Sequence, residues 1–159
     1  MPPTVTGRVG QAVMRTDATT DSRLRTHPGL SMFFVRDRGS TGGVIAEADR
    51  AAPRRARVIV RAELRCWGRP ELVESAELLV TELVTNAFQH GLGDVGLRMC
   101  LTGARLLIEV QDGSHHLPVP GDATLDVENG RGLFLVAALA DRWGVSDDGT
   151  TIWCSLSAE

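Results

Sequence analysis

The stretch that decides the fold is Glu82-Leu83-Val84-Thr85-Asn86-Ala87-Phe88-Gln89-His90-Gly91. It closes a longer segment, Glu71 to His90, in which apolar residues recur at steps of three and four. This spacing builds one apolar stripe and predicts an amphipathic helix that ends at Gly91. Glu82 and Asn86 are four residues apart, so they lie one above the other at the border of the stripe.

At that border, Glu82 and Asn86 could take part in two kinds of chemistry. An amide oxygen can bind Mg²⁺, which prefers hard oxygen ligands and keeps several waters. A carboxylate one helical turn away can accept a proton from a hydroxyl group or from water. The same residues also fit an ordinary amphipathic helix with a solvated polar edge, so this block alone leaves both interpretations open.

Two alternating apolar patterns follow the helix and predict a pair of strands. The alternating residues are Leu97, Met99 and Leu101, then Leu106, Ile108 and Val110. Thr102-Gly103-Ala104 lies between them and is typical of a tight turn. The two strands therefore form an antiparallel hairpin.

The other expected elements complete a two-layer fold. They are an edge strand at Val44–Ala46, a helix capped by Asp49 that runs to about Trp67 with Pro53 in its first turn, a helix from about Gly130–Gly132 to Asp141, and a last strand from Thr150 to Leu156. This order is not an alternating strand–helix–strand series. It predicts an α/β two-layer sandwich, in which a mixed or antiparallel β-sheet is covered on one face by about three helices.

The domain organisation is expected to have two parts. Residues 1–43 are rich in Thr, Arg, Gly and Pro and lack sustained periodicity, so we expect a poorly ordered N-terminal leader. Leu30–Val35 is the exception, and fits either a short docking segment or weak packing on the domain. Met14 and Met32 are alternative start positions. Residues 44–159 are expected to form the folded domain.

Composition excludes several classes of protein. The 159 residues are 43% hydrophobic, enough for a core, and the net charge of -3 argues against general nucleic-acid binding. The three cysteines, Cys66, Cys100 and Cys154, form no CxxC pair, and we expect them to be reduced and buried. No apolar run is long enough to span a bilayer, and the N-terminus has no signal-peptide pattern. We therefore expect a cytoplasmic protein that contacts no membrane.

A second block, Val110-Gln111-Asp112-Gly113-Ser114, stands at the end of a predicted strand. An ionised Asp112 is an acceptor only, so it can receive a hydrogen bond from the amino group of adenine. Gly113 lets a flat ring approach the backbone. A plain Asp-Gly turn is the alternative.

A third block, Asn129-Gly130-Arg131-Gly132-Leu133, places two glycines before a predicted helix. Free backbone N–H groups at a helix start form a cradle for phosphate, and Arg131 can add a charge-assisted contact. The chain has no lysine, so an arginine must supply any charged phosphate contact. A glycine pair before a helix is by itself weak evidence.

Together the three blocks resemble the N, G1 and G2 boxes of the GHKL (Bergerat-fold) ATPases, in the order and spacing of that superfamily. The chain is most similar to the small anti-sigma-factor serine/threonine kinases of the actinobacterial type. The resemblance covers about Val44 to Leu156. Nothing in the sequence resembles a phosphoacceptor histidine domain, which argues against a complete sensor histidine kinase.

The resemblance implies a role for each matching residue. Glu82 would be the catalytic base, and Asn86 would bind Mg²⁺ and the nucleotide. Asp112 would read adenine. The remaining residues of the implied ATP site are His90, Gly113, Ser114, Gly130, Arg131, Gly132, Leu133 and Thr151, the last supporting the adenine pocket from the final strand.

The resemblance also implies a function as a partner-switching regulator. Such a protein inhibits a sigma factor and uses Mg-ATP to phosphorylate an anti-sigma-factor antagonist on Ser or Thr, sometimes as a homodimer. Two alternatives stay open: a non-catalytic module in which ATP tunes the affinity for a partner, and an interaction protein with a vestigial pocket. The sequence names neither the sigma factor nor the antagonist.

One further feature belongs to no family motif. Arg54, Arg57, Arg61 and Arg65, here called the basic stripe, follow steps of three and four along the first predicted helix. They fit either a solvated face or a docking surface for an acidic protein, with attraction that weakens as salt rises.

Overall fold

The computed structural model describes residues 13–15, 28–40, 43–113 and 127–158, with the backbone alone for 13–15 and 127–132. Its helices are α1 (Ala52–Cys66), α2 (Val73–His90) and α3 (Val127–Leu139). Its strands are β1 (Val13–Arg15), β2 (Gly29–Phe34), β3 (Val95–Thr102), β4 (Arg105–Gln111), β5 (Arg142–Val145) and β6 (Thr151–Ser157). Short 3₁₀ turns at Glu47–Asp49 and Pro70–Leu72 precede α1 and α2.

The strands form one sheet in the order β1-β2-β3-β4-β6-β5, and all these pairings are antiparallel. The predicted α/β sandwich is confirmed, although the described sheet is antiparallel rather than mixed. The reason is the return path after α3. The chain enters the sheet at its edge as β5 and turns back as β6, which then runs opposite to both of its neighbours.

Alternation along the strands divides the sheet into a core face and an open face. The core-face residues are buried: Leu30, Met32, Phe34, Val95, Leu97, Met99, Leu101, Leu106, Ile108, Val110, Ile152, Cys154 and Leu156. They meet the apolar stripe of α2, which consists of Ala76, Leu79, Val80, Leu83, Val84, Ala87 and Phe88. Each large side chain buried in this way contributes about 1.5–3 kcal/mol. The stripe and both alternating patterns are as predicted.

The open face carries more polar residues, together with an aromatic contact at its edge. The indole of Trp153 on β6 lies directly over Gly144 on β5, the residue opposite it in the register. A Cβ on Gly144 would come within 2.8 Å of the Trp153 ring, so only glycine leaves room for this stacking. The turn between β3 and β4 also needs glycine, since Gly103 has a φ of 60°.

The expectation that residues 1–43 form a poorly ordered leader is wrong for Gly29–Phe34. This segment is strand β2, which pairs with β3 from Gly29 opposite Cys100 to Phe34 opposite Val95. Leu30, Met32 and Phe34 belong to the core. The adjacent Val44–Ala46, expected as an edge strand, is not a strand.

Helix α1 begins and ends close to its predicted limits, but its start differs in detail. Pro53 lies in the first turn, and Gly68, with a φ of 72°, follows the last turn. The cap position is Ala51, which makes no side-chain cap hydrogen bond. Asp49 is therefore not the helix cap, because its buried carboxylate binds Asp37 and Ser40 instead.

Helix α3 begins earlier than expected. It starts at Val127, so Gly130–Gly132 lies inside the helix rather than before it, and it ends at Leu139 rather than Asp141. In the described ranges, no helix has the length and apolar character that crossing a bilayer requires.

Candidate functional site

Helix α2 carries three of the predicted site residues on one face. Glu82, Asn86 and His90 follow one another at steps of four, with Glu82 and Asn86 half-buried and His90 exposed at the last position of the helix. Within the described ranges, no hydrogen bond or ion pair engages the side chains of Glu82 and Asn86. None of the described residues therefore occupies the polar atoms of these two side chains.

The C-terminal end of α2 is bonded to the end of strand β4. The N–H of Gly91 donates to the carbonyl oxygen of Ala87 at 2.8 Å and closes the helix. The N–H groups of Leu92 and Gly93 then both donate to the carbonyl oxygen of Asp112, at 3.2 and 3.3 Å. These bonds place the end of α2 beside Asp112.

Asp112 lies on the core face of the sheet. It follows Gln111, the last residue of β4, and its N–H donates to the carbonyl oxygen of Thr150 at 3.1 Å. Its residue surface is only 8% exposed. A nearly buried carboxylate at a strand end is well suited to accept a specific hydrogen bond, because little water competes for it.

The backbone next to Asp112 leaves room for a flat group. Gly113 has a φ of 70°, and a Cβ placed on it would meet nothing closer than the backbone nitrogen of Gly93, at 3.6 Å. A Cβ on Gly93 would meet none of the described residues within 4 Å. Among the described residues, the backbone at these two glycines therefore places no side chain in the way of a flat group beside Asp112.

Thr151 is not brought to this site. It pairs with Gln111, and residues directly opposite one another in a sheet share a face. Thr151 therefore lies on the open face, where it lines a shallow pocket with Gln111, Gly96 and Phe33. The preceding residue, Thr150, meets Asp112 through its carbonyl oxygen, while its hydroxyl group donates to Asp148 Oδ1 at 2.8 Å.

Ser114, the last residue of the second block, lies outside the described residues. In the third block, Gly130, Arg131 and Gly132 are described by their backbone, which lies in α3. In a helix, N–H groups beyond the first turn bond within the helix and are no longer free for phosphate. Leu133 is buried and belongs to the hydrophobic core.

A magnesium site built by the protein alone is not found in the part of the chain that the structure describes. No group of three or more His, Cys, Asp or Glu side chains there is arranged to hold a metal ion. Mg²⁺ often takes one or two protein ligands and completes its shell with phosphate oxygens and water. The single amide oxygen of Asn86 fits that second kind of site.

Sequence reasoning missed one residue near this site, Arg36. Its guanidinium binds main-chain carbonyl oxygens of Ala87, Phe88 and Gly93, more than 50 residues further along the chain. Such contacts leave no pattern in the sequence.

The comparison with protein families agrees with this geometry. The model of the histidine kinase-like ATPase domain matches residues 46–156, which include helices α1 to α3, strands β3 to β5 and all of β6 except its last residue. A search of curated proteins gave no match. The matched region contains Glu82, Asn86 and Asp112 in the arrangement described above, and such a domain binds ATP. The chain therefore belongs to the histidine kinase-like ATPase domain family, a GHKL-type fold.

Proposed function

We propose that this protein is a regulatory, ATP-dependent serine/threonine kinase that also inhibits a sigma factor. It would phosphorylate the antagonist protein that releases this sigma factor. The observation that carries the proposal is the position of Glu82 and Asn86. They stand one turn apart on α2, the helix whose end is hydrogen-bonded to Asp112 through Leu92 and Gly93.

The nucleotide end of the site uses α2 and the loops that follow α2 and β4. Asp112 would accept a hydrogen bond from the 6-amino group of adenine, and the space beside Gly113 and Gly93 would admit the ring. Asn86 would give its amide oxygen to Mg²⁺. When bound with ATP, Mg²⁺ neutralises charge on the phosphate oxygens.

Glu82 would act on the protein substrate. In the reaction, a serine hydroxyl oxygen forms a bond to the γ-phosphorus of ATP, the bond to the β–γ bridging oxygen breaks, and ADP leaves. The hydroxyl proton passes to the carboxylate of Glu82, which is half-buried and has no partner among the described residues. In kinases, such a base mainly orients the hydroxyl group.

The catalytic role of Glu82 can be tested separately from nucleotide binding. The substrate antagonist is first identified from proteins that co-purify from the native host, and phosphoryl transfer from Mg-ATP is then measured with purified proteins. Glu82→Gln should slow transfer by about 100-fold or more and leave ATP affinity within a few-fold. Glu74→Gln, at an exposed position in the first turn of the same helix, is the matched control. Transfer at the wild-type rate in Glu82→Gln would refute the role.

The basic stripe on α1 is the proposed docking surface for the acidic protein partner. Arg54, Arg57, Arg61 and Arg65 are all exposed. Arg61 binds Glu77 on α2 at 2.6 Å, so the other three carry the charge that is free to attract a partner. A partner with an acidic surface would therefore associate faster at low salt.

Charge reversal tests this surface. Arg57→Glu combined with Arg65→Glu should weaken binding of the identified partner by at least ten-fold and flatten its dependence on salt. Arg98→Glu combined with Arg105→Glu, at exposed positions of β3 and β4, is the control with the same change of net charge. Equal losses in both proteins would show that net charge, rather than the basic stripe, governs binding.

A second function has one observation in its favour. Because Gly130–Gly132 lies inside α3, most N–H groups of this block are engaged within the helix, which suits a binding module without turnover. ATP would then tune partner affinity. Saturable ATP binding together with no phosphoryl transfer to any co-purified protein would select this function over the kinase.

A further inference from the structure

Arg36 follows strand β2, and its guanidinium group lies at the C-terminal end of α2. Nη2 donates to the carbonyl oxygen of Ala87 at 2.6 Å, and Nη1 donates to that of Phe88 at 2.7 Å. Nε donates to the carbonyl oxygen of Gly93 at 2.7 Å. The guanidinium carbon also lies 5.2 Å from the centroid of the Phe88 ring. One side chain thus ties the last turn of α2 to the loop before β3.

These contacts answer a general need of helix ends. The last four carbonyl groups of a helix lack partners within it, and a cation there also opposes the helix dipole. Arginine carries a flat fork of N–H donors that can bind several oxygens at once, which a lysine ammonium does not match. The main-chain N–H of Arg36 is fixed as well, since it donates to Asp94 Oδ1 at 3.0 Å.

Gly91 shows how close Arg36 comes to Asp112. A Cβ placed on Gly91 would lie 2.7 Å from Asp112 Cβ and 2.9 Å from Arg36 Nη2. Burial lowers the pKa of Arg36, while the nearby carboxylates of Asp49, Asp112 and Asp94 act in the opposite direction. The guanidinium and the Asp112 side chain therefore share one small, partly buried region beside the end of α2.

We infer that Arg36 is a positioning residue of the adenine site. It ties the last turn of α2 to the loop at Gly93, whose N–H bonds the carbonyl oxygen of Asp112, and so fixes the Asp112 carboxylate where it selects a 6-amino purine. The inference rests on the proposed adenine-reading role of Asp112. Arg36 stands ten residues before the region that matches the family model, so this part of the site comes from the chain's own N-terminal segment.

Base discrimination is the readout that separates positioning from a purely structural effect. ATP has an amino group at purine position 6, whereas inosine triphosphate (ITP) has a carbonyl oxygen there, which a carboxylate repels. A variant that merely lowers the folded fraction weakens binding of ATP and ITP by the same factor. A displaced Asp112 carboxylate instead lowers the ratio of the two affinities.

The experiment measures ATP and ITP dissociation constants by calorimetry on the full chain, with the folded fraction checked by circular dichroism. The proteins are wild type, Arg36→Met, Arg36→Lys, Asp112→Asn and the control Arg98→Met. We expect wild type to prefer ATP. Arg36→Met should lose about ten-fold of this preference, Arg36→Lys less, and Arg98→Met none.

A folded Arg36→Met protein that keeps the wild-type ratio overturns the inference. If Arg36→Met does not fold, the Arg36→Lys protein decides, since an unchanged ratio in that variant overturns the inference and a reduced ratio supports it. Equal affinities in wild type, or an unchanged ratio in Asp112→Asn, would instead remove the base-reading role of Asp112 and the inference with it. The experiment thus distinguishes a failure of the positioning role of Arg36 from a failure of the base-reading role of Asp112.

Discussion

The hydroxyl group of Ser40 donates a hydrogen bond to Asp49 Oδ2 at 2.5 Å, and both side chains are buried. The same carboxylate oxygen accepts the N–H of Asp37 at 2.9 Å, and Ser40 Oγ accepts the N–H of Ala46 at 2.8 Å. The segment between β2 and α1 is therefore folded around one buried carboxylate. This segment also carries Arg36, so its order bears directly on the proposed adenine site.

Removing the Asp49 carboxylate should destabilise the fold. Asp49→Ala leaves the N–H of Asp37 and the hydroxyl of Ser40 without their acceptor, and we expect a loss of about 2–3 kcal/mol in the free energy of unfolding. Urea denaturation of Asp49→Ala measures this loss. Glu47→Ala, in the same 3₁₀ turn but exposed, should change the free energy by less than about 0.5 kcal/mol. Equal losses in Asp49→Ala and Glu47→Ala would contradict the stabilising role of the buried Asp49 carboxylate.

Strand β2 should prove essential for folding. Deletion of residues 1–43 removes Leu30, Met32 and Phe34 from the core, and each large buried side chain is worth about 1.5–3 kcal/mol. We expect that protein to be unfolded by circular dichroism. Deletion of residues 1–12, which leaves β1 and β2 in place, should give a cooperative thermal transition. A folded protein without residues 1–43 would show that β2 is dispensable.

Gly91 should tolerate no side chain. A Cβ there would clash with the carbonyl oxygen of Ala87, with Asp112 and with Arg36, so Gly91→Ala should cost about 1–3 kcal/mol of stability. Thermal melting monitors the change. Gly93→Ala provides the comparison two residues later, where a Cβ meets nothing within 4 Å and stability should stay within about 0.5 kcal/mol. A larger loss at Gly93 than at Gly91 would refute this packing.

Stability should fall in alkaline solution because of one thiol. Burial raises the pKa of Cys154 to about 12, whereas an unfolded thiol titrates near about 8.5. The folded state thus holds the proton more tightly. This contribution is complete below about pH 8.5 and is lost towards pH 12, with a slope of about 1.4 kcal/mol per pH unit.

Denaturation at several alkaline pH values checks the role of Cys154. The chain contains no lysine and no tyrosine, so few other side chains titrate in this window. Cys154→Ala should be less stable at neutral pH but should show a flatter alkaline slope. Cys66 is exposed, contrary to the expectation that all three cysteines are buried, so Cys66→Ala should keep the wild-type slope. An unchanged slope in Cys154→Ala would rule out this thiol as the cause.

Elements with their own periodicity were predictable from the sequence, and elements defined by distant partners were not. The stripe of α2 and the hairpin of β3 and β4 follow from local spacing. Strand β2 was missed because Phe33 and Phe34 are both apolar, which hides the alternation of its buried residues. Asp49 was assigned to the nearest helix, whereas its partners Asp37 and Ser40 precede it by 12 and 9 residues.

The same distinction between local patterns and distant partners applies to the residues of the candidate site. Glu82, Asn86 and Asp112 stand in short blocks whose chemistry is visible in the sequence, and the structure places Asp112 at the end of the helix that carries the other two. Thr151 was assigned to the adenine pocket, whereas its pairing with Gln111 places it on the open face; the sequence did not fix this register. The start of α3 was set too late because glycines normally favour the ends of a helix over its interior.

The stacking of Trp153 on Gly144 gives the protein a built-in optical reporter. With no tyrosine in the chain, ultraviolet emission arises only from Trp67, Trp143 and Trp153. Two of these indoles pack against the hydrophobic core, while the third lies on the opposite surface of the sheet. A molecule that covers that surface would shift the emission of one fluorophore and leave the others as an internal standard.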